Sequence, residues 1–195
     1  VLATPIVRVI FERSAFTPAD TAATAAALQF YAIGLIGYSV VRITSPVFYA
    51  MGQSRTPVAV SVATVILNAI LNLARVEVMG YRGLALGTSL AALFNGTLLM
   101  LLLNRRLDGI EGARVAGAMA RIIVASALMG GVAIAVDSAV GAWLPGSGLT
   151  VQIVRLTATI AAALGVLSAA AYVLRIREFH DGVALVTRAL RSGRR

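Results

Sequence analysis

Arg42-Ile43-Thr44-Ser45-Pro46-Val47-Phe48-Tyr49-Ala50-Met51-Gly52-Gln53-Ser54-Arg55-Thr56-Pro57 is a short polar corner between two long apolar runs. Its reading decides the fold. Pro46 removes a backbone donor and Gly52 loosens the chain, so one helix is not expected to pass straight through. Thr56-Pro57 reads as a helix restart, with Thr as N-cap and Pro at the first helical position. Arg42 and Arg55 flank the corner, the pattern of a membrane hairpin whose turn touches the cytoplasm.

The rest of the chain is as apolar as the runs beside the corner. Of 195 residues, 59% are hydrophobic and 13% charged, and the mean hydropathy is +0.89. A water-soluble domain of this size could not cover that much apolar surface with so few charges. The expected class is all-α, a polytopic transmembrane helix bundle. The net charge of +9 comes from arginine, since the chain has no Lys. These arginines sit at the ends of apolar runs and in the tail, not along one solvated face, so no nucleic-acid partner is expected. They read as topology determinants and as contacts for anionic lipid headgroups. With no Cys there is no disulfide or thiol chemistry. The sequence begins inside an apolar run, without a basic n-region or cleavage site, and is expected to be the C-terminal part of a longer membrane protein.

Residues 1–11 look like the last turns of a spanning helix. Thr17-Pro18-Ala19-Asp20 is a compact helix start, with Thr as N-cap, Pro at N1 and a carboxylate at N3 facing the positive end of the dipole. Crossings follow at about 21–41, 57–74, 83–103, 115–136 and 151–174, each long enough to span at about 1.5 Å per residue. Residues 75–82 read as a turn and 104–114 as a polar loop. Residues 137–150, with Trp143, read as an interfacial loop, and the tail from Arg175 as a basic surface segment. The expected organisation is 1–110 as one set of helices, 111–176 as the last two, and 177–195 as a basic cytoplasmic tail. Arginine bias places the 42–57 corner, the 104–114 loop and the tail on the cytoplasmic side.

Few side chains could carry chemistry. Asn68 and Asn72 lie one helical turn apart, so their amides share a face. They could line an ion or headgroup site with Thr88 or Asn95 of the next helix, or simply hydrogen-bond between helices. Arg42 and Arg121 stand closest to membrane depth and could meet a phosphate in a water-filled cavity, or snorkel to the interface. Arg155 is expected to snorkel on the other side. His180 is alone, and one His makes neither a metal site nor a relay. No Walker-type loop, nucleophile–base set or paired carboxylates appear in any segment, so the expectation is a transporter or scaffold and not an enzyme.

Several motifs, in order, resemble the MviN/MurJ lipid II flippases. The corner is similar to that family's "P-x-FYA…(D/Q)-x-(R/K)-TP". Phe11-Glu12-Arg13-Ser14-Ala15-Phe16-Thr17 resembles its "F-E-R-G-A-F-T" turn, with Ser14 replacing Gly. Ala27-Leu28-Gln29-Phe30-Tyr31-Ala32-Ile33-Gly34-Leu35 resembles its "A-L-x-x-Y-A-x-G-L" helix. Gly83-Leu84-Ala85-Leu86-Gly87-Thr88-Ser89 and Asn95-Gly96-Thr97-Leu98-Leu99 resemble its "G-L-A-L-(A/G)-T-S…N-x-x-L-L" span. The likeness covers nearly the whole chain.

The resemblance implies a fourteen-helix fold of the multidrug/oligosaccharidyl-lipid/polysaccharide exporter superfamily, here the end of helix nine plus helices ten to fourteen. It implies alternating-access movement of lipid II, the undecaprenyl-pyrophosphate-linked peptidoglycan precursor, across the bacterial cytoplasmic membrane, with lipids and cell-wall synthesis proteins as partners. The last two helices would line a groove for the polyprenyl tail. No organic cofactor is implied. Some family members bind sodium, with an Asn and an Asp on the eleventh helix and a backbone carbonyl and a Thr on the twelfth. Asn68 and Asn72 fall at the first pair, Leu84 and Thr88 at the second. Asn72 departs from the pattern, which weakens the expectation of sodium and leaves protons or membrane potential as alternative driving forces. A sister exporter of lipid-linked sugars or drugs, or a non-transporting scaffold, are the alternative readings.

Overall fold

The structure, a computed structural model, describes residues 2–12, 15–107, 112–144, 146 and 148–173, with the backbone alone described at 75–79 and 112–116. The basic tail and the 108–111 loop lie outside the described residues, as do the side chains of Arg75 and Arg114. Six helices follow one another: α1 (Ala3–Phe11), α2 (Pro18–Ala50), α3 (Arg55–Met79), α4 (Tyr81–Arg106), α5 (Gly112–Trp143) and α6 (Leu149–Val173). No strand occurs among the described residues. The last five helices are long and apolar enough to cross a membrane.

The start of α2 forms as its sequence dictates. Thr17 Oγ1 accepts from the Asp20 backbone N–H at 3.3 Å, and Asp20 Oδ2 accepts from the Thr17 backbone N–H at 2.9 Å. This reciprocal capping satisfies donors that a helix start leaves open.

The corner departs from expectation. α2 runs through Pro46 to Ala50, so only residues 51–54 make the turn. Pro46 removes the donor that would meet the Arg42 carbonyl, yet the helix continues, as membrane helices tolerate proline better than soluble ones do. Gly52 makes the turn itself, with φ +70, a left-handed conformation that glycine adopts without Cβ strain. α3 begins at Arg55, so Thr56 and Pro57 lie inside its first turn and Thr56 is not the cap. The 75–82 turn shrinks to Gly80, and α5 extends to Trp143, which moves Asp137 from the expected loop into a helix.

Two units divide the chain, one of residues 6–110, the other of the start of α1 together with α5 and α6. In the first, α4 is the hub: α2 and α3 both pack against it and scarcely touch each other. Its buried face is built from Gly83, Ala85, Gly87, Ser89, Ala91, Ala92 and Gly96. Lipid tails are as apolar as the side chains, so helix association in a bilayer depends on close packing and polar contacts, which small residues permit. At Gly37 of α2 a Cβ would run into the Ala92 backbone, so α2 and α4 meet main chain to main chain. Just above, Ser89 Oγ donates to the Phe30 carbonyl at 2.6 Å. Toward the corner, Phe48, Val60, Leu99 and Leu103 close the unit with a larger apolar cluster. In the second unit, α5 and α6 form an antiparallel hairpin whose buried positions are again small: Ala125, Ala133, Thr159, Ala163 and Ala171.

Candidate functional site

Two amides of α3 lie where that helix meets α4. Asn68 and Asn72 share a face of α3, and Asn72 Nδ2 donates to Asn68 Oδ1 at 2.8 Å. That bond turns the other end of the Asn72 amide outward. Its Oδ1 is buried and has no hydrogen-bond partner among the described residues. It lies against Gly87 of α4, where a Cβ would stand only 2.5 Å away. Gly87 sits between Leu84 and Thr88, and Thr88 Oγ1 donates to the Leu84 carbonyl at 2.9 Å. The structure thus brings Asn72, itself bonded to Asn68, against Gly87, in the α4 turn that also holds Leu84 and Thr88.

The donor set is entirely oxygen: two amide oxygens, a main-chain carbonyl and a hydroxyl. Such a set suits a hard cation. An amide oxygen buried without a partner carries a desolvation cost of about 1–3 kcal/mol, which a cation or a donor could relieve. No carboxylate belongs to the set, so it would hold a cation through dipoles alone. These residues fit sodium in donor chemistry and fall short of the family pattern in charge.

Asn95 stands about two turns further along α4, on the same face as Thr88. Its Oδ1 is also buried without a partner among the described residues. It is a separate polar point, too far along the helix to join the Asn72 cluster. Gln53 Oε1 is a third such atom, in the corner, while the Gln53 N–H donates to the Phe48 carbonyl at 2.9 Å.

Arg42 projects from the exposed surface of α2. Because α2 continues to Ala50, Arg42 lies about two turns inside the helix, deeper than the corner reading implied. A groove of about 370 Å³ opens between the end of α2 and the start of α3, lined by Ser45, Tyr49, Pro57, Val58, Ser61 and Val62 among others. Arg121 is exposed on α5 and belongs to the second unit.

Sequence reasoning missed one feature of that second unit. Arg155 Nε donates to Asp137 Oδ1 and Nη2 to Asp137 Oδ2, both at 2.6 Å, a bidentate pair. Arg155 therefore does not snorkel freely. Gly141, one turn after Asp137, leaves the room: a Cβ there would meet the guanidinium at 2.8 Å. Thr159 Oγ1 then donates to the Arg155 carbonyl at 2.8 Å. The available signal was symmetry, since the two opposite charges lie at similar distances from the α5–α6 turn.

Residues 1–174 match the family described as Lipid II flippase MurJ. The chain is 39% identical over 95 residues to a probable lipid II flippase MurJ of Rickettsia prowazekii, covering 49% of this chain and 19% of that protein. It is 31% identical over 176 residues to one from Vibrio cholerae, covering 89% of this chain and 33% of that protein. A lipid II flippase MurJ of Burkholderia cenocepacia is 34% identical over 104 residues, 53% of this chain and 20% of that protein. The chain thus spans a third or less of the length of these relatives.

Proposed function

Since the chain belongs to the lipid II flippase MurJ family, we propose that it is part of a transporter that moves the undecaprenyl-pyrophosphate-linked peptidoglycan precursor across the bacterial cytoplasmic membrane. The observation that carries this reading is the family match over residues 1–174, on a chain with five helices able to span a membrane. The protein is a transporter and not an enzyme. Its mechanism is alternating access, in which two packed lobes rock about a central site.

The first unit supplies a rigid wall for that motion. α4 clamps α2 and α3 through small residues, so the three helices move together. The corner and the C-terminus face the cytoplasm, because arginine is concentrated on that side. The α5–α6 hairpin offers exposed aliphatic residues, including Ile123, Leu128, Ile134 and Leu164, as a surface for the polyprenyl tail. Asp137 and Arg155 hold that hairpin in register. The tail arginines would meet anionic headgroups, and cell-wall synthesis proteins are the expected macromolecular partners.

Asn68, Asn72, Leu84 and Thr88 form the coupling-ion site, where bound sodium would supply positive charge between α3 and α4. Support comes from the buried, unpartnered Asn72 Oδ1 facing the Leu84–Thr88 turn. The absent carboxylate predicts weak sodium affinity. Arg42, Asn95 and Arg121 are the further cavity or headgroup residues. Reconstitution of the full-length protein in liposomes tests the reading. Protein-dependent movement of lipid II headgroups between leaflets would support it, and equal movement in protein-free liposomes would overturn it.

A further inference from the structure

α2 has three chemically distinct faces. At about 100° per residue, Gly34, Gly37, Val41, Thr44 and Phe48 fall on the side that packs against α4. Leu28, Leu35, Ile36 and Ile43 fall on a broad exposed side, with Leu35 61% and Ile43 70% accessible. Between them, within a sector of about 60°, lie Tyr31, Tyr38, Arg42, Ser45 and Tyr49. All three tyrosines are about half exposed, at 45%, 54% and 54%.

This stripe does not suit lipid. Interfacial tyrosines belong near the ends of a span, but Tyr31 and Tyr38 flank Gly34, the midpoint of α2. Arg42 lies about two turns from the end of a 33-residue helix, and a guanidinium that does not snorkel from there needs water or an anion beside it. No carboxylate among the described residues pairs with Arg42. Pro46 adds to the polarity by leaving the Arg42 carbonyl without its usual helical donor. A face with aromatic rings, hydroxyls and one unpaired cation has the chemistry for a glycosylated phosphate. Rings stack on the C–H faces of sugars, hydroxyls bond to sugar hydroxyls, and guanidinium forks to phosphate oxygens.

We propose that the Tyr31–Tyr38–Arg42–Ser45–Tyr49 face of α2 is a contact surface for the saccharide-pyrophosphate headgroup of a polyprenyl-linked lipid. Arg42 engages the phosphates, and the tyrosines engage the sugars above and below it. The assignment rests on the transporter reading. It adds the part of the cargo that this helix recognises.

The test is binding to the purified full-length protein, measured by native mass spectrometry with lipid II and with undecaprenyl phosphate, which has no sugar. Y31A and Y38A are expected to reduce the preference for lipid II by about 3–10-fold, while Y38F, which keeps the ring, retains most of it. R42Q is expected to weaken both lipids by about tenfold or more. L35A, on the aliphatic face, controls for folding and should bind as the wild type does. Wild-type lipid preference in Y31A and Y38A would overturn the assignment of this face, and would leave the flippase reading standing if the same protein still moves lipid II. A wild-type protein that binds neither lipid would overturn both.

Discussion

Asn72 on α3 and Gly87 on α4 fit as side chain and socket: the amide oxygen occupies the space that a Cβ at Gly87 would need, 2.5 Å away. The contact ties the candidate ion site to the packing of the hub helix. A Gly87→Ala substitution should displace Asn72 and destabilise the protein by about 1–3 kcal/mol. Removing the side chain in the Asn72→Ala, Gly87→Ala double variant should recover part of that loss, a non-additivity expected of touching residues. Thermal unfolding of the purified full-length protein checks both.

Sodium should respond to the charge at position 72. A carboxylate in Asn72→Asp would add a charged ligand to a set of neutral oxygens. Ligand binding stabilises by mass action, so the variant should show a sodium-dependent rise in melting temperature larger than that of the wild type. Potassium serves as the control. A variant indifferent to sodium would contradict the site.

The Asp137–Arg155 pair should contribute to the α5–α6 hairpin, though modestly. The side chains are 29% and 39% exposed, so screening reduces their attraction. Asp137→Asn or Arg155→Gln should each cost about 0.5–1 kcal/mol, and a double-mutant cycle should give a coupling of about 0.5 kcal/mol. The exchanged pair, Asp137→Arg with Arg155→Asp, should recover less than the full loss, because Gly141 opens space for a guanidinium from α6 only.

Glycines should separate into two groups. Gly37→Ala would force the α2 and α4 main chains apart, whereas a Cβ at Gly165 meets nothing within 4 Å. The first should sharply reduce the yield of folded protein in membranes, and the second should leave it near wild type.

Much of the architecture was legible because apolar runs of spanning length, carrying at most one arginine each, have few alternatives in a chain with this composition. Thr17 and Asp20 gave the start of α2 through local chemistry alone. The corner was harder. Pro46 reads as a breaker from soluble-protein rules, but in α2 the backbone carries on past it, and Arg42 goes deeper as a result. Asp137 was assigned to an interfacial loop anchored by Trp143; its partner, Arg155, comes from a helix that only tertiary structure brings alongside. The same limit applies to the candidate site. Spacing puts Asn68 and Asn72 on one face, but only packing shows that Asn72 Oδ1 faces Gly87. The tyrosine stripe was present in the sequence, at spacings of seven, four, three and four, and needed the α4 contact to show which face of α2 is left uncovered.

Depletion of the full-length protein in its own cells, with labelling of lipid II at the outer leaflet, tests the transport reading most directly. Loss of exposed lipid II and its accumulation on the inner leaflet are expected. Unchanged exposure in cells that have no other flippase would contradict it.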